Sequence, residues 1–153
     1  MYEQRKWSNT YLLISEDGMQ QKPMKLIVEG YFTLSNKVIC IDDAVSNSTR
    51  KKIFGGILKE NQYIHTILIG QLGKYIEDKY SSSLSMNELL DTAFEIIDKI
   101  NNYISCRCVL LECRKYIPDV DDESREKLHA KYREYGFKKL QDDGELVQYF
   151  FII

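Results

Sequence analysis

The clearest pattern along the chain is an apolar stripe: Met86, Leu89, Leu90, Ala93, Phe94, Ile97 and Ile100 recur at steps of three and four, which places them on one face of a helix. Just before the stripe stands Ser85-Met86-Asn87-Glu88. This is a Ser-x-x-Glu capping box, in which the serine hydroxyl and the glutamate carboxylate each satisfy an orphan backbone amide, so the helix is expected to begin near Ser85. Ile64 to Leu72 has a different pattern, nearly continuous in apolar residues. That predicts a central strand buried on both faces.

Shorter runs rich in β-branched and aromatic residues predict strands at Thr10 to Ile14, Ile27 to Leu34 and Arg107 to Cys113. Lys37 to Ile41 reads as another strand across a turn at Ser35-Asn36, giving an antiparallel meander. Tyr2 to Lys6 reads as the end of a helix, and Asp17-Gly18 as a polar turn. Ser48 to Ile57, polar and then glycine-containing, predicts a short helix or a mobile loop that could bind a ligand. Asp121 to Tyr135 predicts a second long helix, acidic at its start, with Leu128, Tyr132 and Tyr135 on one side and Gly136 at its end. Phe137 to Leu140 and Leu146 to Ile153, split by Asp142-Asp143-Gly144, predict a closing hairpin. No repeat or linker interrupts the series, so residues 1–153 are expected to form one mixed α/β domain.

Composition narrows the function classes. Twenty-one basic against 23 acidic residues give a net charge of -2, with the signs mixed along the chain. No overall field draws in a polyanion, and a nucleic-acid partner is not expected. Neither a membrane span nor a signal peptide is legible, which points to a cytoplasmic protein. Cys40, Cys106, Cys108 and Cys113 contain no Cys-x-x-Cys pair, and His65 and His129 have no companion ligands. Reduced, mostly buried thiols and no metal site are the expectation.

The order of elements, with its buried strand, capped helix, strand, helix and hairpin, resembles the GNAT superfamily of acyl-CoA-dependent N-acetyltransferases. Tyr132-Arg133-Glu134-Tyr135-Gly136-Phe137 resembles that superfamily's Tyr-x-x-x-Gly-Phe, and Val109 to Cys113 the strand that precedes it. Ile69-Gly70-Gln71-Leu72-Gly73-Lys74 resembles the central strand that meets the acyl-CoA, and Val28 to Leu34 an earlier meander strand. The resemblance covers about residues 10 to 153 and implies a GNAT-like central mixed sheet flanked by helices, lacking the first strand and helix of a complete member. The superfamily's glycine-containing phosphate motif appears here as Ser82-Ser83-Leu84-Ser85-Met86-Asn87, without glycines.

The resemblance further implies how acetyl-CoA, the acyl donor, is held. The backbone of Gln71, Leu72, Gly73 and Lys74 would hold its acyl carbonyl and pantetheine arm, and Ser83, Leu84, Ser85, Met86 and Asn87 its pyrophosphate. Helix-terminal amides and the macrodipole favour an anion beside Ser85 independently of any family. Tyr132 would protonate the departing thiolate, although an inward-facing helix tyrosine is often simply core. No general base stands out. His65 is the only group on its strand able to take a proton near neutral pH, Glu29 reads as a solvated edge carboxylate, and Glu112 reads as structurally paired.

The reading is therefore an N-acetyltransferase acting on a primary amine of a small molecule or protein by direct attack. Three alternatives stay open: a catalytically degenerate CoA-binding or interaction module, a toxin-type acetyltransferase acting on aminoacyl-tRNA, and a subunit completed as a homodimer.

Overall fold

A computed structural model describes residues 8–16, 20, 22–23, 26–56, 63–74, 76–77, 80–81, 83–118 and 120–153. The helix end expected at Tyr2 to Lys6 and the turn at Asp17-Gly18 lie outside them. Eight strands are described: β1 (Asn9–Ile14), β2 (Val28–Cys40), β3 (Tyr63–Lys74), β4 (Ile76–Glu77), β5 (Tyr80–Ser81), β6 (Cys108–Arg114), β7 (Lys138–Asp143) and β8 (Leu146–Ile152). Three helices accompany them: α1 (Asn47–Ile53), α2 (Met86–Asn101) and α3 (Asp122–Tyr135). Six strands form one mixed sheet in the order β1-β2-β3-β6-β8-β7, and β4 pairs with β5 alone. The chain divides into two compact units, Met1–Ser35 with Ile69–Tyr103, and Asn36–Leu68 with Ile104–Ile153.

In the first unit, β1 runs antiparallel to β2 from Asn9↔Leu34 to Ile14↔Val28, with an irregularity at Leu13/Ile14. Tyr11 stacks on Phe32 with ring centroids 5.1 Å apart. Helix α2 buries Leu89, Leu90, Ala93 and Ile97 completely, the centre of the stripe that its spacing predicts, with Met86, Phe94 and Ile100 half-buried beside them. Full burial of each large aliphatic side chain contributes roughly 1.5–3 kcal/mol. Gly30 makes room for this packing. A Cβ there would lie 2.7 Å from a Leu84 methyl and 3.3 Å from one of Leu89.

In the second unit, β6 pairs antiparallel with β8 from Cys108↔Ile152 to Arg114↔Leu146. One core cluster joins Ile39, Ile41, Val45, Ile53, Cys108, Leu110, Leu140 and Phe150. Ser46 caps α1, accepting from the Thr49 amide at 3.3 Å, and positive φ at Gly55 and Gly56 follows the helix. The segment around Ser48 is thus helical through Ile53.

Two expectations are corrected. The turn at Ser35-Asn36 does not exist, because β2 is a single strand of 13 residues. Phe32, Thr33 and Leu34 are buried in succession on both faces, and from Ser35 on only the odd-numbered face turns inward, ending in buried Ile39 while Asn36 and Val38 are exposed. Thr66 Oγ1 also donates to the Lys37 carbonyl at 2.9 Å, fixing the strand just past the supposed turn. In the hairpin, Asp142 and Asp143 lie within β7, and the connection is Gly144-Glu145 with φ 57° at the glycine.

Candidate functional site

The carboxyl-terminal half of β3 carries an extra residue. Tyr31 and Thr33 are two apart on β2 and so share a face. A Cβ on Gly70 would lie 2.6 Å from Thr33 Oγ1, and one on Gly73 would lie 2.9 Å from the Tyr31 phenol. Residues three apart in a regular strand face opposite sides, so the chain bulges between Gly70 and Gly73. The Gln71 amide donates to Thr33 Oγ1 at 2.8 Å, a side-chain partner where a regular strand would offer a carbonyl. Gln71 and Lys74 are exposed, and Leu72 and Gly73 half-buried. Gly73 therefore does more than end a strand: its missing side chain is the seat of the Tyr31 ring.

The start of α2 has the geometry that its sequence predicts. Ser85 Oγ accepts from the Glu88 amide at 3.1 Å, and the Ser85 amide donates to the Glu88 carboxylate at 2.6 Å. Those hydrogen bonds to Ser85, its backbone amide first, hold the Glu88 carboxyl below its ordinary range. Met86 and Asn87 contribute the two first-turn amides that none of the described residues takes up. Lys74 then joins the two candidate segments, its ammonium donating to the Leu84 carbonyl at 2.5 Å. Ser83, Ser85 and Asn87 are exposed there, and Leu84 and Met86 half-buried. Ser82 lies outside the described residues. Spacing alone did not reveal the Lys74 side chain or the supporting roles of Gly30, Tyr31 and Thr33.

Tyr132 belongs to the other unit. It is 4% exposed on α3, its ring centroid 6.5 Å from that of Tyr149 on β8. Burial, with the Cys113 thiol as a second cause, pushes its phenol well above the usual tyrosine value. The phenol thus stays protonated at any physiological pH. Gly136 ends the helix at φ 121°, the Phe137 amide returns to the Tyr132 carbonyl at 3.0 Å, and the Phe137 ring is 2% exposed. The Tyr-x-x-x-Gly-Phe pattern therefore fixes the backbone that carries Tyr132.

The remaining candidates divide cleanly. Glu112 is paired, as its sequence suggests: Lys37 Nζ lies at 2.6 Å and Gln148 Nε2 at 2.7 Å. His65 is exposed, and Glu29 is half-buried. His129 is buried at 7% exposure, with Nδ1 2.8 Å from the Tyr149 hydroxyl, and burial depresses its pKa. All four cysteines are free; burial pushes Cys108 and Cys113 up to about 12, while Cys40 is exposed. Among the described residues no group of three His, Cys, Asp or Glu side chains could hold a metal, and no helix is long and apolar enough to cross a membrane.

No known protein family matches the sequence, and no curated protein does. Solved structures match the backbone. AtaT complexed with acetyl-methionyl-tRNAfMet aligns with a TM-score of 0.65 at 19% identity, over 96% of this chain and 72% of that one. AtaTR bound with AcCoA aligns at 0.59 and 18% identity, over 96% and 71%. A tyrosine-to-phenylalanine mutant of KacT aligns at 0.61 and 17% identity, over 95% and 71%. At such identities the likeness is one of fold. The six-stranded mixed sheet with its flanking helices is the GNAT fold, shared with these toxin acetyltransferases.

Proposed function

We propose that this chain is an acyl-CoA-dependent N-acyltransferase that moves an acetyl group from acetyl-CoA to a primary amine. The observation that carries the reading is the junction of the bulged β3 end with the capped start of α2 through Lys74 and Leu84. Its donor set suits a pyrophosphate: the amides of Met86 and Asn87, the Ser83 hydroxyl and the Lys74 ammonium. Lys74 supplies the positive charge in a loop that lacks the glycines of other such sites. The Glu88 carboxylate opposes an anion there, so the grip is moderate.

Acetyl-CoA supplies the thioester. Backbone amides of Leu72 to Lys74 stabilise the oxyanion that develops as the amine nitrogen attacks the carbonyl carbon. As the carbon–sulfur bond breaks, Tyr132 is assigned to give its phenolic proton to the departing sulfur, and the proton lost by the amine returns through solvent to the phenolate. Burial keeps the Tyr132 phenol protonated at neutral pH.

A second reading specifies the acceptor as the α-amine of an aminoacyl-tRNA. The likeness to AtaT complexed with acetyl-methionyl-tRNAfMet favours it, and it replaces the expectation of no nucleic-acid partner. Calorimetric titration with acetyl-CoA and CoA tests the donor half, followed by acetyl transfer to simple amines, peptides and charged tRNA. Micromolar donor binding with transfer to one acceptor class is expected. Absence of binding at millimolar donor would overturn the reading and leave a degenerate module.

A further inference from the structure

We infer that the basin between α3 and the β7–β8 hairpin is a binding site for a phosphate group, separate in its residues from the donor site above. The basin has a volume of about 260 Å³, and four of its eight lining residues are basic against one acidic. Lys115, Arg125, Arg133 and Lys139 converge on it in a chain whose net charge is -2. The excess is local and was invisible in the overall composition.

Its floor is built of buried polar groups. Tyr149, 2% exposed, meets His129 Nδ1 at 2.8 Å, and Arg133 also hydrogen-bonds the Tyr149 phenol. The His129 ring is held a second time by the Arg114 backbone. The Tyr149 hydroxyl is taken up by His129 and Arg133, so the donors offered to a ligand are the remaining N–H groups of Arg125 and Arg133 and the ammonium groups of Lys115 and Lys139. Planar guanidinium groups match phosphate oxygens bidentately.

The cations are only lightly committed elsewhere. Lys115 and Lys139 share one carboxylate, Asp142, at 3.0 and 2.9 Å, so two charges face one, and Lys115 also donates to the Gly144 carbonyl at 2.9 Å. Arg125 pairs with Asp122 at 2.9 Å, and Arg133 pairs with Glu126. Carboxylates 122, 126 and 142 are 89%, 68% and 45% exposed, and exposed pairs contribute only about 0–1 kcal/mol each. A phosphate, with more charge and more acceptor oxygens, displaces such partners readily.

The phosphate could belong to a free nucleotide or to an RNA backbone, and one experiment separates the two. The full chain is titrated with inorganic phosphate, AMP and a single-stranded RNA oligonucleotide, following the His129 ring resonances by NMR, with fluorescence anisotropy for the RNA. Shifts of His129 with all three probes, and RNA binding at least about tenfold tighter than AMP with a negative salt slope, identify a nucleic-acid backbone. Equal responses to AMP and RNA identify a mononucleotide. Arg125→Gln and Lys139→Gln are each expected to weaken binding about three- to tenfold and, for RNA, to reduce the salt slope by roughly one per lost contact. Acetyl-CoA affinity should not change in either variant, which separates this inference from the transferase reading. An unmoved His129 with all probes, or RNA binding indifferent to both substitutions in folded protein, overturns it.

Discussion

Lys74 donates to the carbonyl oxygen of Leu84 at 2.5 Å, tying the last residue of the bulged strand to the residue before the α2 N-cap. If Lys74 also serves a pyrophosphate, Lys74→Met should weaken acetyl-CoA binding about three- to tenfold while shifting folding stability by no more than about 0.5 kcal/mol. Calorimetry at low and high salt checks this. Equal affinities for both proteins would remove Lys74 from the site.

Glu88→Gln should act in the opposite direction. The amide oxygen can still accept from the Ser85 backbone, so the cap survives, while the charge opposing an anion is gone. Acetyl-CoA should bind more tightly to the variant at pH 7. The carboxyl of Glu88 is held below its ordinary value of 4.5, so its stabilising role is complete above that pH and disappears as pH falls through the lower folded value. Thermal melts of both proteins from pH 7 to pH 3 should therefore converge only in the acid range.

Tyr132→Phe should lower turnover about 10²- to 10⁴-fold, the usual worth of a positioned general acid, without altering the dissociation constant for acetyl-CoA. Since burial raises the phenol above 10, Tyr132 should contribute no alkaline limb to the rate profile up to that pH. Steady-state rates beside donor titrations would expose a purely structural tyrosine, whose replacement would leave turnover intact.

Gly73→Ala should displace the exposed Tyr31 ring, since the new methyl would lie 2.9 Å from its phenol, and destabilise the protein by about 0.5–1 kcal/mol. Adding Tyr31→Ala should recover most of that loss, a coupling that denaturant melts of the two single variants and the double variant would measure. A glycine chosen only to let a ligand approach would show no such rescue.

His129 should make stability fall on mild acidification. Its folded pKa is depressed by burial, so the unfolded chain binds its proton first as pH drops below about 6.5, and the folded state loses ground until the folded value is reached. His129→Gln should flatten the dependence of melting temperature on pH between 6.5 and 5.

The parts of the fold carried by local rules were legible. The capping box at Ser85 and Glu88, the α2 stripe and the Gly136 stop each depend on residues within a few positions of one another. The turn assigned to Ser35-Asn36 failed because polarity in a strand interior looks like a turn until the neighbouring strand is known, and here Thr66 of β3 holds the backbone straight. The bulge in β3 was hidden for the same reason: it is defined by Thr33 and Tyr31, some forty residues earlier. The basic basin draws on residues from Lys115 to Tyr149, on α3, β7, β8 and the segment after β6, and only folding assembles them.

Gly30 has an effect on kinetics that reaches beyond packing. A Leu84 methyl occupies the space its side chain would fill, the Leu84 carbonyl is held by Lys74, and the next amide is bound by Glu88. Three consecutive anchors hold the chain as it enters α2, so little of this entry should need ordering when a ligand arrives. Docking there sacrifices little conformational freedom, and association should be a single-step encounter free of a slow ordering phase.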